Sequence, residues 1–176
     1  TEVVVRPYDT MDSLKTKVEA ATILGTFQAT LTNFRYLTSK WKHNTHEESL
    51  LGVSLTGIMD NVDMINGKID LEYLKNLSVS INKVWAKKLG IPQSAAITCV
   101  KPSGTVSQLV DSASGIHTRH SPYYLRTVRA DKKDPLAKLM VDAGVYHEDD
   151  LTKPEHTYVF YFPMKSPKGA LTRKDI

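Results

Sequence analysis

The sequence predicts an α/β fold in which long helices alternate with short, mostly parallel strands. Three observations carry that expectation. Two long segments, one from about Asp9 to Leu31 and one from Asp70 to Leu89, repeat apolar residues at spacings of three and four, the period of an amphipathic helix. Short apolar or β-branched runs at 2–6, 50–57 and 95–101 fall before, between and after them. Strands separated by helices pair in parallel, and such sheets carry their sites at the carboxyl ends of the strands.

Each element follows from its residues. Glu2-Val3-Val4-Val5-Arg6 reads as a strand closed by Pro7. Asp9 or Thr10 is placed to cap a helix with Leu14, Val18, Ala21, Leu24, Phe27 and Leu31 at its apolar positions. Gly25 inside that helix costs about 1 kcal/mol against Ala, so close backbone packing is expected there. Residues 35–49 are polar and aromatic and read as a surface excursion. His43 and His46 lie three apart in it with no third ligand beside them, so no metal site is assigned. The apolar run Leu50–Gly57 fits an inner strand. Asp70 caps the next helix, with Leu71, Leu74, Leu77, Ile81 and Val84 on one face and Gly90 and Pro92 closing it. Residues 95–101 read as a buried strand, and Cys99 within it as a small core residue. That strand runs into a Ser103-Gly104-Thr105 turn and a short helical segment, Val106–Val110. His, Arg and Tyr crowd together with turn residues at 114–126. Residues 135–143 read as a helix, 156–162 as a last aromatic strand, and 171–176 as the opening of another helix. No internal repeat or low-complexity tract interrupts the pattern.

At 176 residues the chain fits one domain with a sizeable core. No apolar run reaches membrane-spanning length and no charged-then-apolar leader opens the chain. With a single cysteine, an internal disulfide is excluded, which fits a reducing, cytoplasmic setting. The net charge of +4 favours anionic partners without choosing among them. Nucleic acid ranks low, because aromatic and basic residues do not interleave on a recognisable platform. Both ends read as cut. The β-branched run begins at residue 3, which makes a poor frayed tail, so residues 1–176 are expected to be one partial domain. Thr1 also meets the requirement of a splicing intein for Cys, Ser or Thr directly after it.

The most telling stretch is 97–107. A strand that delivers a Gly-containing turn to a helix start gathers free backbone N–H groups at one point, an arrangement suited to an anion. Ser103, Thr105 and Ser107 add hydroxyls and Lys101 adds a cation. An ordinary junction capped by Ser103 or Thr105 has the same local pattern. His117, Arg119, His120, Tyr123, Tyr124 and Arg126 follow the same strand and are candidates for the mouth of a pocket. The competing reading makes the tyrosines packing residues and the arginines solvated.

Lys-Pro-Ser-Gly-Thr-Val-Ser at 101–107 and Ser-Gly-Ile-His-Thr-Arg-His-Ser-Pro-Tyr-Tyr-Leu-Arg at 114–126 resemble the adenosylcobalamin-dependent (class II) ribonucleoside-triphosphate reductases. Residues 2–6, 21–32 and 50–60 are similar to that family too, so the resemblance spans nearly the whole chain. It implies the second part of a ten-stranded α/β barrel. It also implies that Ser103, Gly104, Thr105 and Val106 contact the substrate phosphates, largely through backbone N–H, with Ser107 a weaker candidate. The parent enzyme would reduce ribonucleoside triphosphates to deoxyribonucleotides for DNA synthesis by a cobalamin-initiated thiyl radical. A thioredoxin-type reductant and the upstream remainder of the same enzyme would be its partners. The radical cysteine, its companion Asn and the Glu acid/base lie upstream in the family. The redox cysteines are missing here as well, and Cys99 matches none of these roles. The implied fragment therefore holds part of a substrate pocket and is expected to be inactive alone. A non-catalytic phosphate-binding module is the rival reading.

Overall fold

In the computed structural model, which describes residues 1–176, the chain forms two units: residues 1–119 with 167–176, and residues 120–166. The first unit contains β1 (Glu2–Val4), α1 (Met11–Gln28), α2 (Ser39–Glu48), β2 (Ser54–Thr56), a 3-10 turn at Ile58–Asp60, α3 (Val62–Ile65), α4 (Leu71–Leu89) and α5 (Val106–Leu109). β1 and β2 pair in parallel, with Glu2 opposite Ser54 and Val4 opposite Thr56. Segment 97–99 lies along the other side of this region: Val53 N–H donates to the Ile97 carbonyl at 2.9 Å and Cys99 N–H to the Val53 carbonyl at 3.1 Å. The strand expected at 95–101 is thus reduced to a single parallel bridge, Val53–Thr98. Val3, Val5, Val53 and Ile97 from these segments meet Leu14, Val18 and Ala21 of α1 and Leu74 of α4 in one core.

Local chemistry fixes the helix ends. Thr10 caps α1 through a reciprocal pair with Ser13, which satisfies two otherwise orphan N–H groups. The helix stops at Gln28, short of the expected Leu31, where the backbone tightens into a turn. Gly25 does pack closely: a Cβ there would sit 3.3 Å from the Leu51 side chain. Asp70 caps α4 by accepting from Tyr73 N–H at 2.9 Å, and Gly90 closes it with φ +68°. The apolar face expected on α4 is a correction. The buried stripe is Leu74, Ser78, Asn82 and Ala86, while Leu71 and Val84 are each 52% exposed. Hydrogen bonding sets this orientation. Asn82 Nδ2 donates to Thr26 Oγ1 of α1 at 3.1 Å and to Ser94 Oγ at 3.0 Å, and Asn82 Oδ1 accepts from Ser94 N–H at 3.0 Å.

Three further expectations change. The excursion at 35–49 contains a ten-residue helix, α2, with no buried residue. Cys99 is exposed rather than in the core, because no element of this unit covers the outer side of 97–100, where Val100 is 73% exposed. Residues 171–176 form no helix. Asp175 Oδ2 holds both the N–H and the hydroxyl of Thr172 at 2.7 Å, and Leu171 N–H donates to the Met59 carbonyl at 2.9 Å.

The second unit is built from β3 (Tyr123–Asp131), α6 (Pro135–Asp142), β4 (His147–Asp149) and β5 (Thr157–Lys165). Its sheet runs β3–β5–β4, and every pairing is antiparallel, so the expectation of mostly parallel strands fails here. The sequence reading had no strand at 123–131. It carries Arg126 and Arg129 at the edge of the sheet, and its partner is the expected aromatic strand. Asp134 accepts from Leu136 N–H at 2.8 Å and Pro135 opens α6, a favourable helix start. Arg129 Nε donates to the buried Asp150 at 2.7 Å. The bond from the Thr152 hydroxyl first, then that from Arg129 and the Thr152 N–H, hold the Asp150 carboxyl well below its ordinary range. The chain is mixed α/β with two small sheets rather than a closed barrel. No helix is long and apolar enough to cross a membrane.

Candidate functional site

The turn at 103–107 alternates burial in a telling way. Ser103 and Ser107 are buried, whereas Gly104, Thr105 and Val106 are exposed. Ser107 N–H donates to the Ser103 carbonyl at 2.9 Å and Gln108 N–H to the Thr105 carbonyl at 3.1 Å, which winds the chain into α5. The N–H groups of Gly104, Thr105 and Val106 find no acceptor in the chain, as the start of a helix dictates. Thr105 makes no side-chain cap. A Cβ on Gly104 would meet nothing within 4 Å, so the space before the turn is open. Lys101 does not face this space with a free ammonium. Its Nζ donates to the Thr1 carbonyl at 3.0 Å.

Behind the turn lies a buried polar network. The Thr56 and Ser103 hydroxyls are 2.7 Å apart, Gly115 N–H donates to Thr56 Oγ1 at 2.8 Å, and Thr56 Oγ1 donates to the Ala113 carbonyl at 3.2 Å. Gly57, next to Thr56, takes φ +82°, and a Cβ there would stand 2.6 Å from the Val5 carbonyl, so glycine is required at this bend. Asp60 accepts from Ala113 N–H at 2.8 Å and forms a two-bond pair with Arg119, Nε–Oδ1 at 2.9 Å and Nη2–Oδ2 at 2.7 Å. Arg119 Nη1 also reaches Asp111 Oδ1 at 3.1 Å. Arg6 Nη1 donates to the Val110 carbonyl at 2.7 Å. The loop after α5 is therefore held from the segment following β1, from β2 and from the 3-10 turn at once.

The candidate mouth residues separate. His117 and Arg119 belong to the first unit, His120 and Tyr123 to the second. Arg119 is 5% exposed and neutralised by Asp60, so the reading of it as a solvated cation is corrected. His117 is exposed, its N–H donating to the Ser114 carbonyl at 2.8 Å. His120 packs edge-on to Tyr124 with ring centroids 5.8 Å apart. Tyr123 is 70% exposed at the start of β3, with Lys165 Nζ 5.9 Å from its ring centre. His43 stands 3.6 Å from Glu47 on the solvent face of α2. Sequence reasoning missed Thr56, Asp60 and Asp111. A signal was present in Thr56, since a polar residue in an apolar inner run needs a buried partner.

Comparison with known proteins bears on this arrangement. No protein-family model matches the chain. A Dictyostelium discoideum protein named as a probable adenosylcobalamin-dependent ribonucleoside-triphosphate reductase is 32% identical over 133 residues, 72% of this chain and 17% of that protein. The Euglena gracilis adenosylcobalamin-dependent ribonucleoside-triphosphate reductase is 35% identical over 88 residues, 50% of this chain and 12% of that protein. The matched regions therefore cover less than a fifth of the length of these relatives. A crystal structure of a B12-dependent (class II) ribonucleotide reductase shares the fold with a TM-score of 0.72 over 88% of this chain and 26% of that one, at 21% identity. In sequence and in fold, this chain is homologous to a segment of the adenosylcobalamin-dependent ribonucleoside-triphosphate reductases.

Proposed function

We propose that the chain is part of the catalytic barrel of a ribonucleoside-triphosphate reductase, and that residues 103–107 hold the substrate's phosphates. The supporting observation is the set of three adjacent backbone N–H groups, on the exposed residues Gly104, Thr105 and Val106, that lack acceptors in the chain. Such donors bind negative charge without offering a reactive side chain. That suits an enzyme whose protein task is positioning, with the phosphates clamped at one end and the ribose presented at the other. The open sides of β1 and of segment 97–100 favour a larger sheet around these strands in the full enzyme.

Adenosylcobalamin is the cofactor this reading implies. The cavity beside Cys99, lined by Val53, Leu55, Leu74 and Thr98, has a volume of about 370 Å³, too small for a corrin ring. A thioredoxin-type reductant and the remainder of the enzyme complete the proposal. Replacing Gly104 by Asp in the complete enzyme tests the phosphate reading, because it fills and negatively charges the turn. Triphosphate binding should be lost, and wild-type affinity in Gly104→Asp would sink the assignment.

A further inference from the structure

The hydroxyl protons behind the turn can be counted. Thr56 Oγ1 has one proton to give and two lone pairs to receive with. It faces three partners: Gly115 N–H at 2.8 Å, the Ala113 carbonyl at 3.2 Å and Ser103 Oγ at 2.7 Å. Gly115 N–H can only donate, and the Ala113 carbonyl can only accept. One arrangement satisfies all three contacts. Thr56 gives its proton to Ala113 and accepts from both Gly115 and Ser103. The Ser103 proton then points inward, toward Thr56. Ser103 is 2% exposed and Thr56 fully buried, so water does not supply a competing partner.

From this we propose that Thr56 is a positioning residue for the phosphate turn, and that Ser103 acts as its anchor and not as a ligand. With its proton committed, Ser103 Oγ presents only lone pairs and would repel a phosphate oxygen. Ser107 is committed in the same sense, donating to the Gly104 carbonyl at 3.3 Å while Gln108 Nε2 donates to it at 3.1 Å. Thr105 keeps an exposed hydroxyl, so the anion meets that group and the three backbone donors. Thr56 ties the end of β2 to both arms of the segment, at Ser103 before α5 and at Ala113 and Gly115 after it. It thereby sets the direction in which those backbone donors point.

This inference rests on the phosphate reading, and the experiment separates the two. The complete reductase is prepared with Thr56→Val, Thr56→Ser, Ser103→Ala, the Thr56→Val/Ser103→Ala double variant and Gly104→Asp. Inorganic triphosphate is the probe, and its dissociation constant is measured for each. Thr56→Val and Ser103→Ala are each expected to weaken binding by about tenfold, the effect of one buried hydrogen bond. The double variant should lose no more than either single, and Thr56→Ser should restore affinity. Additive losses would show that Ser103 touches the anion itself and would overturn the proposal. Wild-type affinity in both single variants, with binding lost in Gly104→Asp, would overturn it while leaving the phosphate site in place. Unchanged binding in Gly104→Asp would remove the phosphate reading instead. Amide exchange in the ligand-free enzyme gives a second measure should Thr56→Val fail to fold. An anchor requires faster exchange at Ser107 in Ser103→Ala, and unchanged exchange there would overturn the proposal.

Discussion

Two buried carboxylates show how single residues hold this chain together. Asp9 is 4% exposed and accepts from Arg6 N–H at 2.7 Å, Ser13 Oγ at 2.8 Å and Lys17 Nζ at 2.5 Å. Burial alone would raise its pKa. The bonds from Lys17, Arg6 and Ser13 outweigh that and hold it below the ordinary 3.8. A depressed carboxyl stabilises the fold above its unfolded value and loses that contribution as pH falls through its folded value. Asp9→Asn should therefore destabilise the protein at neutral pH by about 1–3 kcal/mol. The gap between wild type and variant should shrink as pH drops below 3.8, which denaturant titrations across pH would read. Asp60 carries a larger load. Asp60→Ala removes the two-bond partner of the Arg119 guanidinium, which is 5% exposed and keeps the more exposed Asp111, and breaking a buried pair from one side costs about 3–5 kcal/mol. A thermal melt in which Asp60→Ala matched wild type would show that the pair is not what holds loop 111–115. Neither carboxylate could be given its role from sequence. Asp9 looked like a helix cap, and the partner of Asp60 lies 59 residues away.

At the scale of elements, what was legible was local and what was not was relational. The starts of α1 and α4, the Gly90 stop and the Ser103–Thr105 turn follow from residues within a few positions of one another. The face that α4 buries does not, because it answers to α1. Leu71, Leu77, Ile81 and Val84 formed the better apolar stripe, yet Ser78, Asn82 and Ala86 face inward. Small side chains let the two helices approach, and the Asn82 amide reaches both Thr26 and Ser94. Asn82→Leu should then cost more than its gain in apolarity returns, since it leaves the buried Ser94 N–H without its acceptor, a penalty of about 1–3 kcal/mol, while the Thr26 hydroxyl keeps only its own bond to the Thr22 carbonyl. A more stable Asn82→Leu in chemical denaturation would refute that account of the α1–α4 seam. The antiparallel sheet escaped for the same reason. The residues of β3 read as a basic, aromatic loop, and only pairing with β5 makes them a strand. Cys99 was placed in the core by its apolar neighbours, but burial depends on what covers a segment, and 97–100 is open on its outer side.

For the molecule as a whole, the decisive fact is how much chemistry one thiol allows. Converting a ribonucleotide to a deoxyribonucleotide takes two electrons. A protein that draws them from thiols needs a pair, since oxidation of one pair to a disulfide supplies both. This chain has a single cysteine, and its matched regions cover less than a fifth of the length of its relatives. Its candidate site binds charge and carries no group poised to take a hydrogen atom from a sugar. On the proposed reading, the 176-residue chain should therefore show no deoxyribonucleotide formation with adenosylcobalamin, a ribonucleoside triphosphate and an external dithiol. Chromatographic analysis of the nucleotide pool checks this directly. Turnover that survived Cys99→Ser would place the chemistry on a group unassigned above. Turnover abolished by Cys99→Ser would turn the exposed thiol beside the apolar cavity from a bystander into the reacting group.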